Sequence, residues 1–110
     1  MAAAARADVT VAVLGLITCQ EHGPQCQEAE AHDRVAIGLP GQQLALLKQL
    51  GAAARGRSPP GQLILVIMSG SAVSVPWAAT NADTVLQQFY PGLTIGLAPT
   101  LCRARLRYFL

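Results

Sequence analysis

The sequence predicts an α/β fold, a mainly parallel sheet of about three strands joined by crossover helices. Three observations carry that reading. VTVAVLGLI at 9–17 and QLILVIM at 62–68 are apolar and β-branched runs without the alternation of a strand that has one wet face. A leucine pattern of helical period lies between them, opened by Pro40-Gly41 and closed by Pro59-Pro60. A third run, DTVLQQFY at 83–90, ends at Pro91-Gly92. Near-continuous apolar runs belong to parallel strands covered on both faces, and parallel neighbours require a long crossover, usually a helix.

Residues 2–6 are almost all alanine and read as the end of a helix whose beginning is missing. The first strand follows at 9–17. Thr18 to Ala36 is a polar stretch, and structureless stretches of that length in compact domains are usually functional or disordered. Its first part, CQEHGPQCQ, turns around Gly23-Pro24; its second, QEAEAHDR, gathers Glu28, Glu30, Asp33 and Arg34. Leu39-Pro40-Gly41 then starts a helix, since proline suits a first helical turn. Leu44, Leu46, Leu47 and Leu50 form its apolar stripe against Gln42, Gln43, Lys48 and Gln49. Gly51 and the following AAARGRSPPG end or fray it, because Pro59-Pro60 forbids continuation. With the second strand at 62–68 this makes a right-handed βαβ unit. Ser69-Gly70-Ser71 is a tight turn of small residues, and Pro76-Trp77 leads into a short helical AAT. Residues 93–110 have no clear period.

Composition bounds the rest. A chain of 110 residues is one domain. Charged residues make up 13%, well below the roughly 25% of ordinary soluble domains, while 52% are apolar. That balance fits a sheet buried on both sides, or a piece of something larger. A net charge of +2 does not point to nucleic acid or an anionic membrane, and Arg103, Arg105 and Arg107 read as a solvated tail. Cys19, Cys26 and Cys102 are odd in number and follow no disulfide framework, although Cys19 and Cys26 could close a small loop in an oxidising compartment. With His22 and His32 they match no standard zinc spacing, so no metal or other cofactor is expected. Residues 1–19 offer Arg6 and an apolar run, but Asp8 interrupts it and no small-x-small cleavage site follows; no signal peptide is assigned, and localisation stays open. Ser58 to Ala82 carries no charge, yet its prolines and glycines leave only Leu63 to Met68 continuous, too short for a membrane span.

The carboxylates are the chemically interesting groups. Glu28 and Glu30, two residues apart, cannot both serve one retaining glycosidic centre, whose carboxyl groups flank the sugar about 5 Å apart. One of them could act as a general acid if a partly dry surrounding raises its pKa, with its nucleophilic partner elsewhere. Otherwise they merely keep the loop soluble. Asp33 beside Arg34 reads as a salt bridge anchoring the loop. Ser69-Gly70-Ser71 fits no phosphate or nucleophile-elbow motif and is better read as a turn. Trp77 after proline reads as packing rather than as a sugar platform.

The ordered set ADVTVAVLGL, EAEAHDR, LPGQQLALLKQL, LILVIMSGSAVSVPWA and FYPG resembles the C-terminal α/β sandwich domain of family 3 glycoside hydrolases, in the β-xylosidase/α-arabinofuranosidase subgroup. The resemblance covers roughly residues 4–92 and implies a partial α/β sandwich, incomplete at both ends, with 93–110 a divergent tail. It further implies an N-terminal (β/α)8 barrel that carries the nucleophilic aspartate, and a sandwich-domain loop that supplies the acid/base glutamate. Carried onto this sequence, Glu28 is the acid/base candidate and Glu30 the alternate. Asp33 and Arg34 hold the loop, with Arg34 near the sugar. Two features depart from the family pattern: CQEHGPQCQ looks inserted ahead of Glu28, and LAPTLCRARLRYFL replaces a glycine-rich helix and a Gly-Arg-Leu-Pro segment.

The expected function is therefore that of a fragment of a retaining, exo-acting glycosidase of terminal β-xylosyl or α-arabinosyl residues, inactive without its barrel. Carbohydrate is the implied partner, together with a barrel-bearing chain; nucleic acid and membrane are not. A non-catalytic module docking on such a chain, or a fragment without selected function, is the competing reading.

Overall fold

The computed structural model describes residues 2–17, 29 and 33–90. After a single 3-10 turn at Ala4–Arg6 come β1 (Val9–Gly15), α1 (Gln43–Arg55), β2 (Gln62–Ser69), α2 (Pro76–Asn81) and β3 (Thr84–Phe89). The strands form one parallel sheet in the order β1-β2-β3, with a helix between each consecutive pair. The α/β class and the parallel pairing of the two apolar runs are as the sequence predicts. The alanine-rich start makes only the 3-10 turn, and β1 stops two residues short of Ile17.

Register decides which side chains share a face. Thr10, Ala12 and Leu14 stand beside Leu63, Leu65 and Ile67, and the last two pair onward with Val85 and Gln87. Leu47 of α1 and Ala78 of α2 pack with this face into one core. Leu47, Leu63 and Leu65 are wholly buried; enclosing a leucine contributes about 1.5–3 kcal/mol.

The opposite face differs from expectation. Val9, Val11 and Val13 of β1 are 46%, 57% and 56% exposed, and Ile64, Val66 and Met68 beside them are only half-buried. Among the described residues the sheet is covered on one side. Both helices belong to the same core, which leaves no described element for the second layer that the apolar pattern of β1 anticipates.

The buried stripe of α1 is also rotated from the predicted one. Leu47, Gly51 and Ala54 face inward, whereas Leu44 and Leu46 are exposed. Gly51 does not end the helix. A Cβ there would lie 3.0 Å from the Trp77 ring and 3.3 Å from Leu63, so glycine lets α1 settle against the indole. Trp77 is packing, as its sequence setting suggests. Gly41 takes a left-handed φ of +54° just ahead of the helix, a conformation open to glycine at no steric penalty.

The amino edge of the sheet is fastened by two arginines that follow or end α1. Arg57 donates to the Asp8 carboxylate at 2.7 Å and to the Ala7 carbonyl at 2.8 Å. Arg55 donates to the Asn81 carbonyl and lies 3.9 Å from Asp83. Charge patterning thus places Asp8 and Asp83 where strands begin and leaves the other edge to different groups. Among the described residues, no helix is long and apolar enough to cross a membrane.

Candidate functional site at the carboxyl edge of the sheet

Ligands in open α/β sheets bind beyond the carboxyl ends of the strands, and here that edge is organised by β1, the residues after β2, and the start of α1. β1 leaves the sheet at Gly15, whose φ of +152° is accompanied by close backbone contact. A Cβ at this position would fall 1.8 Å from the Met68 carbonyl oxygen, so no other residue fits. The Leu16 amide still donates to that carbonyl at 2.9 Å, extending the parallel pairing past the strand.

Gln43, the first residue of α1, grips the same point from the other side. Its Nε2 donates to the Gly15 carbonyl and its Oε1 accepts from the Gly15 amide, each at 2.8 Å. Tyr90, just after β3, donates its hydroxyl to the Leu16 carbonyl at 3.2 Å. A cleft of about 450 Å³ opens here, lined by Val13, Gly15, Met68, Gln43 and Tyr90 among others.

At the exit of β2 the chain closes on itself. Ser69 is fully buried; its hydroxyl donates to the Ser71 carbonyl at 2.6 Å and accepts from Gln87 Nε2 at 2.9 Å. A hydroxyl used in this way closes a turn and is not poised as a nucleophile, in line with the turn reading of Ser69-Gly70-Ser71.

Arg34 ties the acidic stretch to this turn. The sequence suggested that Arg34 anchors the loop through Asp33. In the fold its guanidinium reaches across to the β2 exit, where Nη2 donates to the Ala72 carbonyl at 2.6 Å and to Ser71 Oγ at 3.1 Å. Nη1 donates to the carbonyls of Ala36 and Gly38 at 3.3 and 3.4 Å. The next residues run alongside: the Ser74 amide donates to the Ile37 carbonyl at 2.7 Å, and Gly38 bridges to Ser74 in parallel. A planar fork with five donors on separate nitrogens spans acceptors set apart in fixed directions, which a single compact ammonium matches less well. Asp33 is exposed.

Glu28 and Glu30, with the rest of 18–28 and 30–32, lie outside the described residues, as do Cys19, Cys26, His22, His32, Cys102 and the arginines at 103, 105 and 107. Among the described residues no three metal-ligating side chains gather. The structure thus brings Arg34 of the predicted set to the carboxyl edge and adds Gln43 and Tyr90, which the sequence reading did not single out. Gln43 looked like one more polar residue of a solvated helix face. Its one distinguishing signal was its place, two residues after the Pro-Gly that opens the helix.

The model of the glycosyl hydrolase family 3 C-terminal domain matches residues 1–100. The chain belongs to this family. Relatives of the family 3 segment include beta-xylosidase/alpha-L-arabinofuranosidase 2 of Medicago sativa subsp. varia, 40% identical over 97 residues. Beta-D-xylosidase 3 of Arabidopsis thaliana is 37% identical over 97 residues, and an exo-alpha-(1->6)-L-arabinopyranosidase of Bifidobacterium longum is 34% identical over 96. Each alignment takes in 86% of this chain but 11% of the relative, so the family 3 segment is about a tenth of the length of the curated proteins it matches. No solved structure gives a significant match.

Proposed function

We propose that this segment supplies the proton donor of a retaining exo-glycosidase, with the attacking carboxylate provided by a barrel that lies outside these 110 residues. Glu28 is the acid/base residue and Glu30 the alternate. The substrate is a terminal β-xylosyl or α-arabinosyl residue, in keeping with the names of the family 3 relatives.

The observation that supports this reading is the bond from Arg34 to the Ala72 carbonyl at 2.6 Å. It holds Arg34, the last residue of the EAEAHDR stretch, at the edge where α/β sheets meet their ligands. Four of the chain's 14 charged side chains fall within residues 28–34. In the retaining mechanism two carboxyl groups face each other across the sugar about 5–5.5 Å apart. The acid protonates the departing oxygen while the other carboxylate attacks the anomeric carbon. The acid, now ionised, then takes a proton from water as that water releases the glycosyl group. One carboxylate without its opposite number leaves the first step without a nucleophile.

Two measurements test the proposal. The purified 110-residue chain releases no p-nitrophenol from an aryl β-xyloside; Glu28-dependent release by the chain alone would overturn it. Placed in the Medicago relative in exchange for the matching 97 residues, the segment supports turnover that Glu28→Gln or Glu30→Gln lowers by about 10²–10⁴-fold, the usual share of general acid catalysis. Full turnover by both variants rejects the assignment.

A further inference from the structure

We infer that Gln43 is a positioning residue that fixes the exit of β1, the point from which the segment bearing Glu28 and Glu30 departs; the inference rests on the proton-donor reading of that segment. Its side-chain amide makes both hydrogen bonds available to the Gly15 peptide groups, at 2.8 Å each. A primary amide offers one acceptor and one donor group on a single planar unit, the complement of a backbone N–H and C=O.

The clamp acts at the end of β1. Gly15 is the last residue of β1, and its positive φ is one that only glycine tolerates. The ladder to β2 ends with the Leu16 amide on the Met68 carbonyl. Beyond lies the stretch to residue 32. Its far end is held at Arg34, on Ser71 and Ala72. Gln43 and Arg34 therefore grip the two ends of one acidic segment, one at the exit of β1 and the other at the exit of β2. The side chain reaches Gly15 because α1 begins at Gln43 itself, so the register of the helix start, set by Pro40 and Gly41, sets the clamp. Among the described residues, Tyr90 is the one titratable side chain lining this cleft.

The test is amide hydrogen exchange of the full 110-residue chain, expressed as protection relative to intrinsic rates and compared with wild type at each pH. Gln43→Met keeps the side-chain length and removes both hydrogen bonds. Two bonds of about 1 kcal/mol each correspond to a loss of protection of roughly tenfold or more. The loss is expected at Gly15 and to spread to Leu16 and Ile17, while Leu65 and Val66 in the middle of β2 keep wild-type protection and report an intact fold.

Gln43→Glu supplies the discriminating measurement. An ionised carboxylate repels the Gly15 carbonyl, but a protonated one again offers one donor and one acceptor. Protection at Leu16 and Ile17 in this variant, taken relative to wild type at the same pH, is expected to return toward wild type as pH falls through the carboxyl range. Unchanged protection at Leu16 and Ile17 in Gln43→Met, or a Gln43→Glu profile that follows wild type, overturns the inference. Because the readout is exchange and not turnover, the clamp and the proton-donor reading fail separately.

Discussion

Leu63 and Asp83 are joined twice across the start of the sheet. The Leu63 amide donates to the Asp83 carboxylate at 2.7 Å, and the Asp83 amide donates to the Leu63 carbonyl at 2.9 Å. β2 and β3 pair from Ile64 and Thr84 onward, so this reciprocal contact sets the register before the ladder begins. Asp83→Ala leaves the amide of a fully buried leucine without its acceptor. The expected loss is about 1–3 kcal/mol, read as a lowered urea midpoint with unchanged slope.

The exits of the strands give a sharper contrast between two glycines. Gly15→Ala drives a methyl group into the Met68 carbonyl, whereas at Gly38 a Cβ meets nothing within 4 Å. Gly15→Ala is expected to cost more than about 3 kcal/mol or to prevent folding, and Gly38→Ala to stay within about 0.5 kcal/mol. Thermal melting of the two variants beside wild type decides this; equal melting temperatures would contradict the geometry of the β1 exit.

Burial orders a second pair. Leu65→Ala empties a site with no exposure and is expected to cost about 2–5 kcal/mol. Val11 lies on the bare face at 57% exposure, and Val11→Thr is expected to change stability by less than about 0.5 kcal/mol. Denaturant titration of both variants checks the ordering.

Arg34→Lys is not a conservative change here. The carbonyls of Gly38 and Ala72 and the hydroxyl of Ser71 are shared between two guanidinium nitrogens, a spread that one compact ammonium does not reproduce. With Arg34 only half-buried, the expected loss of stability is about 1 kcal/mol. Cleavage by a protease under native conditions should quicken first within residues 33–38, and an unaltered cleavage pattern would show that the anchor is dispensable.

If Glu28 protonates the leaving group, its loss must depend on what leaves. In the chimera with the Medicago relative, Glu28→Gln is expected to slow hydrolysis of xylobiose by at least 10²-fold. Its effect should be far smaller on a dinitrophenyl xyloside, whose departing oxygen needs no proton. An equal loss on both substrates points to a structural role.

Much of the fold was legible because apolar pattern and backbone chemistry agreed. The runs 9–17 and 62–68 read as parallel neighbours, and Pro40-Gly41 and Pro59-Pro60 marked where a helix can lie between them. The rotation of the α1 stripe was hidden because Leu44, Leu46, Leu47 and Leu50 are equally apolar. The inward face is the one on which Leu47, Gly51 and Ala54 align, with Gly51 against Trp77. The bare side of β1 was equally hidden, since a residue pattern records the surroundings a strand suits and not the elements present. Of the site, the charge cluster around Arg34 was visible. Its carbonyl partners were not, because acceptors such as that of Ala72 have no signature in sequence. The same holds for Gln43, whose partner is the backbone of Gly15.

The valines at 9, 11 and 13 give the chain an unusual calorimetric expectation. Hydrocarbon already wetted in the native state adds nothing to the heat-capacity increment when the chain melts. That increment should therefore fall below the roughly 12–15 cal/mol/K per residue of ordinary domains. The free-energy curve of this polypeptide against temperature would be correspondingly shallow, with little loss of stability on cooling.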